Sequence, residues 1–501
     1  MAGGIVVWLA GKKFDILCRW LTAVFIFADL VIIMYLWTSG SQDMAGTGWL
    51  VDFNRPWIRR FNINLHFGID GLSLVLLALT YIIGILSVFI SWTEIRFRTG
   101  FFHFNILWIL AGITGVFMAL DLFLFYFFWE MMLIPMYFMI GIWGHERKIY
   151  SALKFFIFTQ ASGLFMLASI IGLYFLSGSA TGVNTFDIIA LTENPVSGGI
   201  SWLIMAGFLA GFLVKLPAFP FHSWLPDAHT DAPTAGSLIL AGLMLKTGAY
   251  GLLRIVVPLF PETVPLVAPY IAIAGVAGIV YGAKLAYAQK DLKRMVAYTS
   301  VSHMGFIMVG VFALNELAFQ GVVMQIVAHA LSTGALFIVA GMLQERNHTR
   351  KIDDFGGLWH QAPAMGGVTL IFAVASLGLP GMANFIAEFL ILLGSFQSNI
   401  IIAVIATAGL IVSVPYSLKL FQRTFHENIS HDRKMADLNL REMIVMLVMI
   451  LFLFWLGLYP RTIFSLTNKP VVKMLRYYEQ NTGNADNQGG NAFIIQGIQK
   501  Q

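Results

Sequence analysis

Cysteine occurs once in 501 residues, at Cys18. A disulfide framework, a cysteine-ligated zinc site and an iron–sulfur motif are therefore excluded from this chain. Charge is also scarce, with 31 Lys+Arg and 26 Asp+Glu making 11% of the residues, against ~25% in an ordinary soluble domain. The nucleotide loops GxGxxG and GxxxxGKT, the zinc-protease HExxH and the esterase GxSxG are absent as well, so no soluble catalytic domain is inserted. What is abundant is apolar: 58% hydrophobic residues, 43 of them Phe, and a mean hydropathy of +0.78. Too few polar side chains remain to cover a soluble surface, and the chain reads as a polytopic membrane protein.

Apolar runs of spanning length lie at 16–37, 70–91, 101–120, 121–142, 151–176, 200–224, 235–257, 266–288, 295–314, 318–342, 367–393, 400–422 and 443–466, after a short stub at 3–10. The stub is too short to span alone and lacks the cleavage pattern of a secretory signal. The net charge of +5 does not point to nucleic acid, because the basic residues sit in short loops. Those around 92–100, 143–150, 289–294, 343–352 and 423–442 hold Arg96, Arg98, Arg147, Lys148, Lys290, Lys293, Arg294, Arg346, Arg350, Lys351, Arg433 and Lys434, whereas 177–199, 258–265, 315–317 and 395–399 contain no Lys or Arg. The positive-inside rule places the first set in the cytoplasm. Arg55, Arg59 and Arg60 in the 38–69 loop break the pattern and are outvoted. The expected organisation is N-terminal helices over 1–100, two halves at 101–257 and 258–425, a last helix with its preceding loop at 426–466, and a polar tail at 467–501.

A few charges remain at membrane depth. Glu130, in LFLFYFFWEMMLIPMYF, costs about 2.5–3.5 kcal/mol on insertion scales, and Pro135 leaves the Met131 carbonyl one turn away without its donor. A structural ion pair between two helices is the plain alternative. Lys215 precedes Pro217 and Pro220, which should break its helix, and broken helices at membrane depth line cavities or lie buried in protein. Snorkelling to the headgroups is its alternative. Lys246 lies among Gly242, Gly248 and Gly251, which admit close helix neighbours. Burial can bring lysine, unlike arginine, into a range where it exchanges protons. His303, with Thr299 and Ser300 on its helical face, and His329, with Gln325, Ser332 and Thr333, suit a hydrogen-bonded relay; a satisfied helix contact is the alternative. Glu388 follows a break expected at Pro380 and Gly381. One broken helix in each half resembles an inverted-repeat transporter. Lys154, Arg254, Lys284 and Lys419, nearer the span ends, are expected to snorkel, with service to the first site the alternative for Lys154, which lies beside Thr159 and Gln160. Asp29 stays unassigned.

The strings PFHSWLPDAHTDAPTAGS (220–237), QKDLKRMVAYTSVSHMG (289–305) and FFWEMMLIPMYF around Glu130 resemble the antiporter-like, proton-translocating membrane subunits of respiratory complex I, over roughly 60–460. The resemblance implies an all-α fold of about 14 transmembrane helices, with two inverted five-helix repeats, each holding a Pro-broken helix. It implies that Glu130 and Lys215 form the family's glutamate–lysine pair, that Lys246 is the central lysine, that His303 and His329 form the connecting axis, and that Glu388 is the terminal site. Glutamate at that site and the short C-terminal segment favour the family's M branch over its L and N branches. The short 3–10 stub departs from the full first helix of the family.

The implied function is proton translocation driven by quinone reduction in other subunits of NADH:quinone oxidoreductase. NADH, FMN, iron–sulfur clusters and quinone would belong to the whole complex, with no cofactor or redox centre in this chain. Subunits L and N are the expected flanking partners, with lipid around them, in a bacterial inner membrane. Rival readings are a multisubunit cation/proton antiporter, a membrane-bound hydrogenase subunit, and a structural spacer that moves no ions.

Overall fold

The computed structural model describes residues 1–39, 48–195, 198–427 and 435–482. Among these, ten helices are long and apolar enough to cross a membrane. They are Asp15–Ser39, Gly71–Glu94, Thr99–Met118, Leu122–Trp143, Lys148–Ser179, Thr234–Leu259, Val264–Ala288, Glu316–Asn347, Ile400–His426 and Leu440–Leu458. Leu292–Val311 matches them in length but carries Lys293, Arg294 and a polar stripe. The run at 3–10 forms a short helix, Ala2–Ala10, laid against Thr99–Met118. Arg433 and Lys434 lie outside the described residues.

Both expected breaks are present. Ser201–Lys215 stops at the lysine, and the chain resumes as Trp224–Asp231. Pro217 withdraws a donor from the Leu213 carbonyl, and Ala218 N–H takes its place at 2.9 Å; the Trp224 indole donates to the Val214 carbonyl at 2.9 Å. Further on, Pro363–Ala375 ends ahead of Pro380, and Ala383–Ser398 begins after it. In the Glu130 helix the chain turns at Met132, between Leu122–Met131 and Leu133–Trp143, one residue past the carbonyl that Pro135 deprives.

The innermost helices are Thr234–Leu259 and Glu316–Asn347, whose apolar windows are wholly buried. Lys246 sits on the first and His329 on the second. Two π-helical turns, Leu240–Met244 and Leu252–Val256, flank Lys246. Such turns widen the helix locally and recur at functional positions. A Cβ on Gly248 would meet the Phe212 carbonyl oxygen at 2.7 Å, so glycine there lets the Lys246 helix press against the end of the Lys215 helix.

The cation-rich loops gather at one end. Hydrogen bonds join His145 N to Asp231 O (2.8 Å), Leu292 N to Arg350 O (2.9 Å) and Ile352 N to Lys290 O (2.8 Å). The opposite end holds an element absent from the all-α expectation, an antiparallel hairpin of Val51–Ile58 and Ile63–Ile69. It explains the stray Arg55, Arg59 and Arg60, which lie on its exposed part. Alternation is weak in this stretch and Pro56 interrupts it, so periodicity did not reveal the strands. The polar tail expected from 467 is helical as far as Thr482, as Arg461–Thr482, with Ile463, Leu466, Val471 and Met474 buried. Its apolar residues recur at helical spacing on a polar background, a pattern that mean polarity conceals.

Candidate functional site

Glu130 and Lys215 face each other from neighbouring helices, each the other's electrostatic partner. They form no ion pair within 4.0 Å. The Lys215 ammonium is buried, lying 5.2 Å from the Trp129 ring centre and 5.9 Å from that of Phe155. Aromatic faces attract a desolvated cation. Tyr126 and Gln160 lie beside the Glu130 carboxylate. Glu130 Oε1, Lys215 Nζ and Trp129 Nε1 are buried with no protein hydrogen-bond partner among the described residues. The Glu130 carboxylate fits because residue 163 is glycine: a Cβ there would lie 2.5 Å from Oε1.

The second cluster is connected by direct contacts. Lys246 Nζ lies 2.7 Å from His329 Nδ1, and both side chains are fully buried. The His329 and His303 rings meet edge to face at 5.6 Å between centres. His303 Nδ1 lies 3.2 Å from Glu388 Oε1 and 3.4 Å from Gln325 Nε2. The Glu388 contact is close but poorly aligned for a hydrogen bond, since Oε1 has no well-directed donor. Tyr416 stands beside the same carboxylate. Each residue owes its place to local structure. Lys246 lies between two π-helical turns, and Glu388 sits in the second turn of the helix that follows the break. The two histidines sit on adjacent, almost fully buried helices.

All six residues expected from the sequence are thus at or near the core. The structure joins Lys246, His329, His303 and Glu388 by contact, and it sets Glu130 and Lys215 nearby as a separated pair.

Several buried groups beside these clusters do not stand out in the sequence pattern. His229, on the segment after the first break, is fully buried and stacked on Phe337 at 4.2 Å, with neither ring nitrogen partnered by protein. Lys246 and Lys293 are its charged neighbours. The signal was in PFHSWLPDAH, where a histidine follows a Pro-broken helix. Lys293, read as a loop cation, is fully buried and donates to the Ala232 carbonyl at 3.0 Å, with His145 Nε2 3.5 Å away. In the loop holding His145, burial first and then the cations Lys293, Arg350 and Lys148 push the imidazole down to about 3.

Arg254 does not snorkel. It is buried and pairs with Asp70, and its Nε reaches the Tyr250 hydroxyl at 3.3 Å. A buried guanidinium needs such a partner, and Asp70 doubles as the cap that accepts Ser73 N–H. Lys154 also has a fixed partner, Asp227, at 2.6 Å; Arg294 at 2.7 Å and Arg147 at 3.5 Å converge on the same carboxylate. Lys419 donates to the Tyr287 and Gln289 carbonyls, and Lys284 is exposed.

Residues 119–413 match the family described as NADH:quinone oxidoreductase/Mrp antiporter, transmembrane. The chain belongs to this family. Among relatives, NADH-quinone oxidoreductase subunit M of Pseudomonas aeruginosa is 48% identical over 476 residues, covering 93% of this chain and 94% of that protein. Subunit M of Escherichia coli K12 is 45% identical over 488 residues, covering 95% and 96%. A chain of respiratory complex I from Thermus thermophilus with bound NADH superposes with a TM-score of 0.85 at 29% identity, covering 95% of this chain and 99% of that one. A chain of the Mrp complex from Dietzia sp. shares the fold, with a TM-score of 0.83 at 17% identity. The matched region contains all six expected residues and His229. The family's antiporter-like transmembrane architecture, built of apolar helices, is the one found here.

Proposed function

We propose that this chain is a proton-translocating membrane-arm subunit of a bacterial NADH:quinone oxidoreductase. Quinone reduction in other subunits would drive protons through Glu130, Lys215, Lys246, His329, His303 and Glu388. The observation that carries this reading is the Lys246–His329 contact at 2.7 Å, continued by His303 to the Glu388 carboxylate. Two bases at that distance can share one proton between them. A second proton would set two cations side by side, costing about 6 kcal/mol at an effective dielectric of about 20. The pair therefore accepts a proton from one side only as it gives one up to the other.

In the cycle we favour, Lys215 holds its proton while Glu130 faces it. When the two separate, the proton moves to Lys246 and His329, then by His303 to Glu388, which releases it on the far side. His229 lies beside Lys246 and offers a second way in from the cation-rich end. The buried atoms without protein partners at Glu130, Lys215 and His229 suit bridging water, which relieves the cost of an unmade hydrogen bond.

In this reading the chain contributes no redox centre, in keeping with its single buried cysteine. NADH, FMN, iron–sulfur clusters and quinone are handled by other subunits, and L- and N-type subunits flank it in the membrane arm. The 101–257 and 258–425 segments act as its two antiporter-like halves. The test is NADH-driven proton uptake by everted vesicles carrying Lys215→Ala or Glu130→Ala. Reduced uptake in assembled complex supports the assignment, and unchanged uptake in both variants defeats it. Uptake that depends on sodium rather than on NADH oxidation would indicate a cation/proton antiporter instead.

A further inference from the structure

A groove of ≈580 Å³ runs between Asp15–Ser39, Gly71–Glu94 and Leu440–Leu458. Its walls include Leu30, Met34, Ile85, Phe89, Ile444 and Val448, and its one charged lining residue is Arg441. From Leu440 to Phe452 the groove follows about 18 Å of helix, close to the ~15 Å depth of one leaflet's hydrocarbon. Arg441 stands at one end of it.

Two arginines converge there. Arg441 and Arg19 are electrostatic neighbours. Arg441 reaches the Thr93 hydroxyl at 3.1 Å and lies 4.0 Å from Glu442 Oε1. Glu442 is committed elsewhere, to Arg346 at 2.6 Å and to the Asn439 cap. Glu345 is the other acid facing Arg441. Arg19 donates to the Ile95 carbonyl at 2.9 Å and lies 5.4 Å from the Trp92 ring centre. The Nε of each guanidinium is buried without a protein partner among the described residues. Trp20, exposed, packs edge-on against Trp92 and Phe89, as aromatic residues do at headgroup level. This end adjoins the Thr99 turn, where Thr99 bonds to Asp15, so it belongs to the cation-rich side that the positive-inside rule places in the cytoplasm.

We propose that this groove binds one anionic phospholipid of the cytoplasmic leaflet, with an acyl chain between the three helices and its phosphate between Arg19 and Arg441. The paired guanidinium charges at the mouth of the groove match the charge and planar geometry of a phosphate diester. The apolar walls match the chain, and the arginines select an anionic headgroup over a zwitterionic one.

The test uses intact purified complex, supplied with phosphatidylglycerol or phosphatidylcholine bearing the same diazirine-tagged acyl chain. After photolysis, the labelled peptides are located by mass spectrometry. Phosphatidylglycerol is expected to label the 82–89 and 444–452 segments about tenfold more than phosphatidylcholine, and the Arg19→Gln/Arg441→Gln double variant should reduce it to the phosphatidylcholine level. Val448→Trp should block both lipids by filling the groove, without touching the headgroup end. Equal labelling by the two lipids overturns the proposal. So does absence of label from the groove, which would mean that another protein covers it.

Discussion

Lys246 and His329 share a hydrogen bond of 2.7 Å in an interior where both side chains are fully buried. No carboxylate takes part in that contact. A lysine matched to a neutral base, rather than to an acid, is held in place without being locked into one charge state. Glu388 stands two residues further along the chain of contacts, beyond His303.

Replacing His329 by Ala removes the partner of Lys246 and leaves a buried Nζ unsatisfied. The expected cost is about 1–3 kcal/mol, read as a lower thermal inactivation temperature of the complex. NADH-driven pumping should fall by more than assembly does. Blue-native electrophoresis beside proton uptake separates the two effects, and a proportional fall in both would assign His329 a purely structural role.

His229→Phe keeps the aromatic stack on Phe337 but removes both ring nitrogens. Assembly should survive and pumping should drop severalfold if His229 feeds Lys246. Normal pumping in this variant would remove His229 from the path.

Gly163→Ala separates helix stability from site geometry. Alanine is the better helix former by about 1 kcal/mol, yet its Cβ would lie 2.5 Å from Glu130 Oε1. The expected outcome is an assembled complex of equal or higher thermal stability with impaired pumping. Full pumping would show that the Glu130 carboxylate can move without consequence.

The hairpin end supplies a pH dependence. His66 is buried between Asp187, 2.5 Å from Nδ1, and Asp52, 3.1 Å from Nε2. Burial alone would lower its pKa, but the hydrogen bonds and charges of Asp187 and then Asp52 outweigh burial and raise it above 6.5. A raised imidazole pKa contributes stability that is complete below 6.5 and is lost as pH rises through the folded value. Hydrogen exchange in 51–69, corrected for intrinsic rate, should therefore speed up as pH is raised from about 6 to 9. His66→Gln should flatten that profile. An unchanged profile in the variant would place the pH dependence elsewhere.

Much of the site could be read in the sequence, because a charge inside an apolar run stands out against its surroundings. Glu130, Lys215, Lys246 and Glu388 were visible for that reason, and both broken helices followed from Pro217, Pro220 and Pro380. The partners were not visible. Arg254 and Lys154 looked like snorkelling cations because distance from a span end says nothing about Asp70 or Asp227, which come from remote parts of the chain. Lys293 looked like a loop charge because its burial depends on how the 143–150 and 232–234 segments fold over it. The hairpin and the Arg461–Thr482 helix were hidden by weak or averaged-out patterns, which tertiary packing turns into structure.

On the proposed route, protons cross this chain through Lys246. The most direct measurement is the number of protons translocated per NADH oxidised by purified complex in liposomes, with wild-type Lys246 and with Lys246→Met, which retains bulk and removes the exchangeable proton. Passage of protons through Lys246 requires a lower ratio in an assembled variant with normal subunit content. An unchanged ratio would contradict it and leave this chain as a spacer between its neighbours.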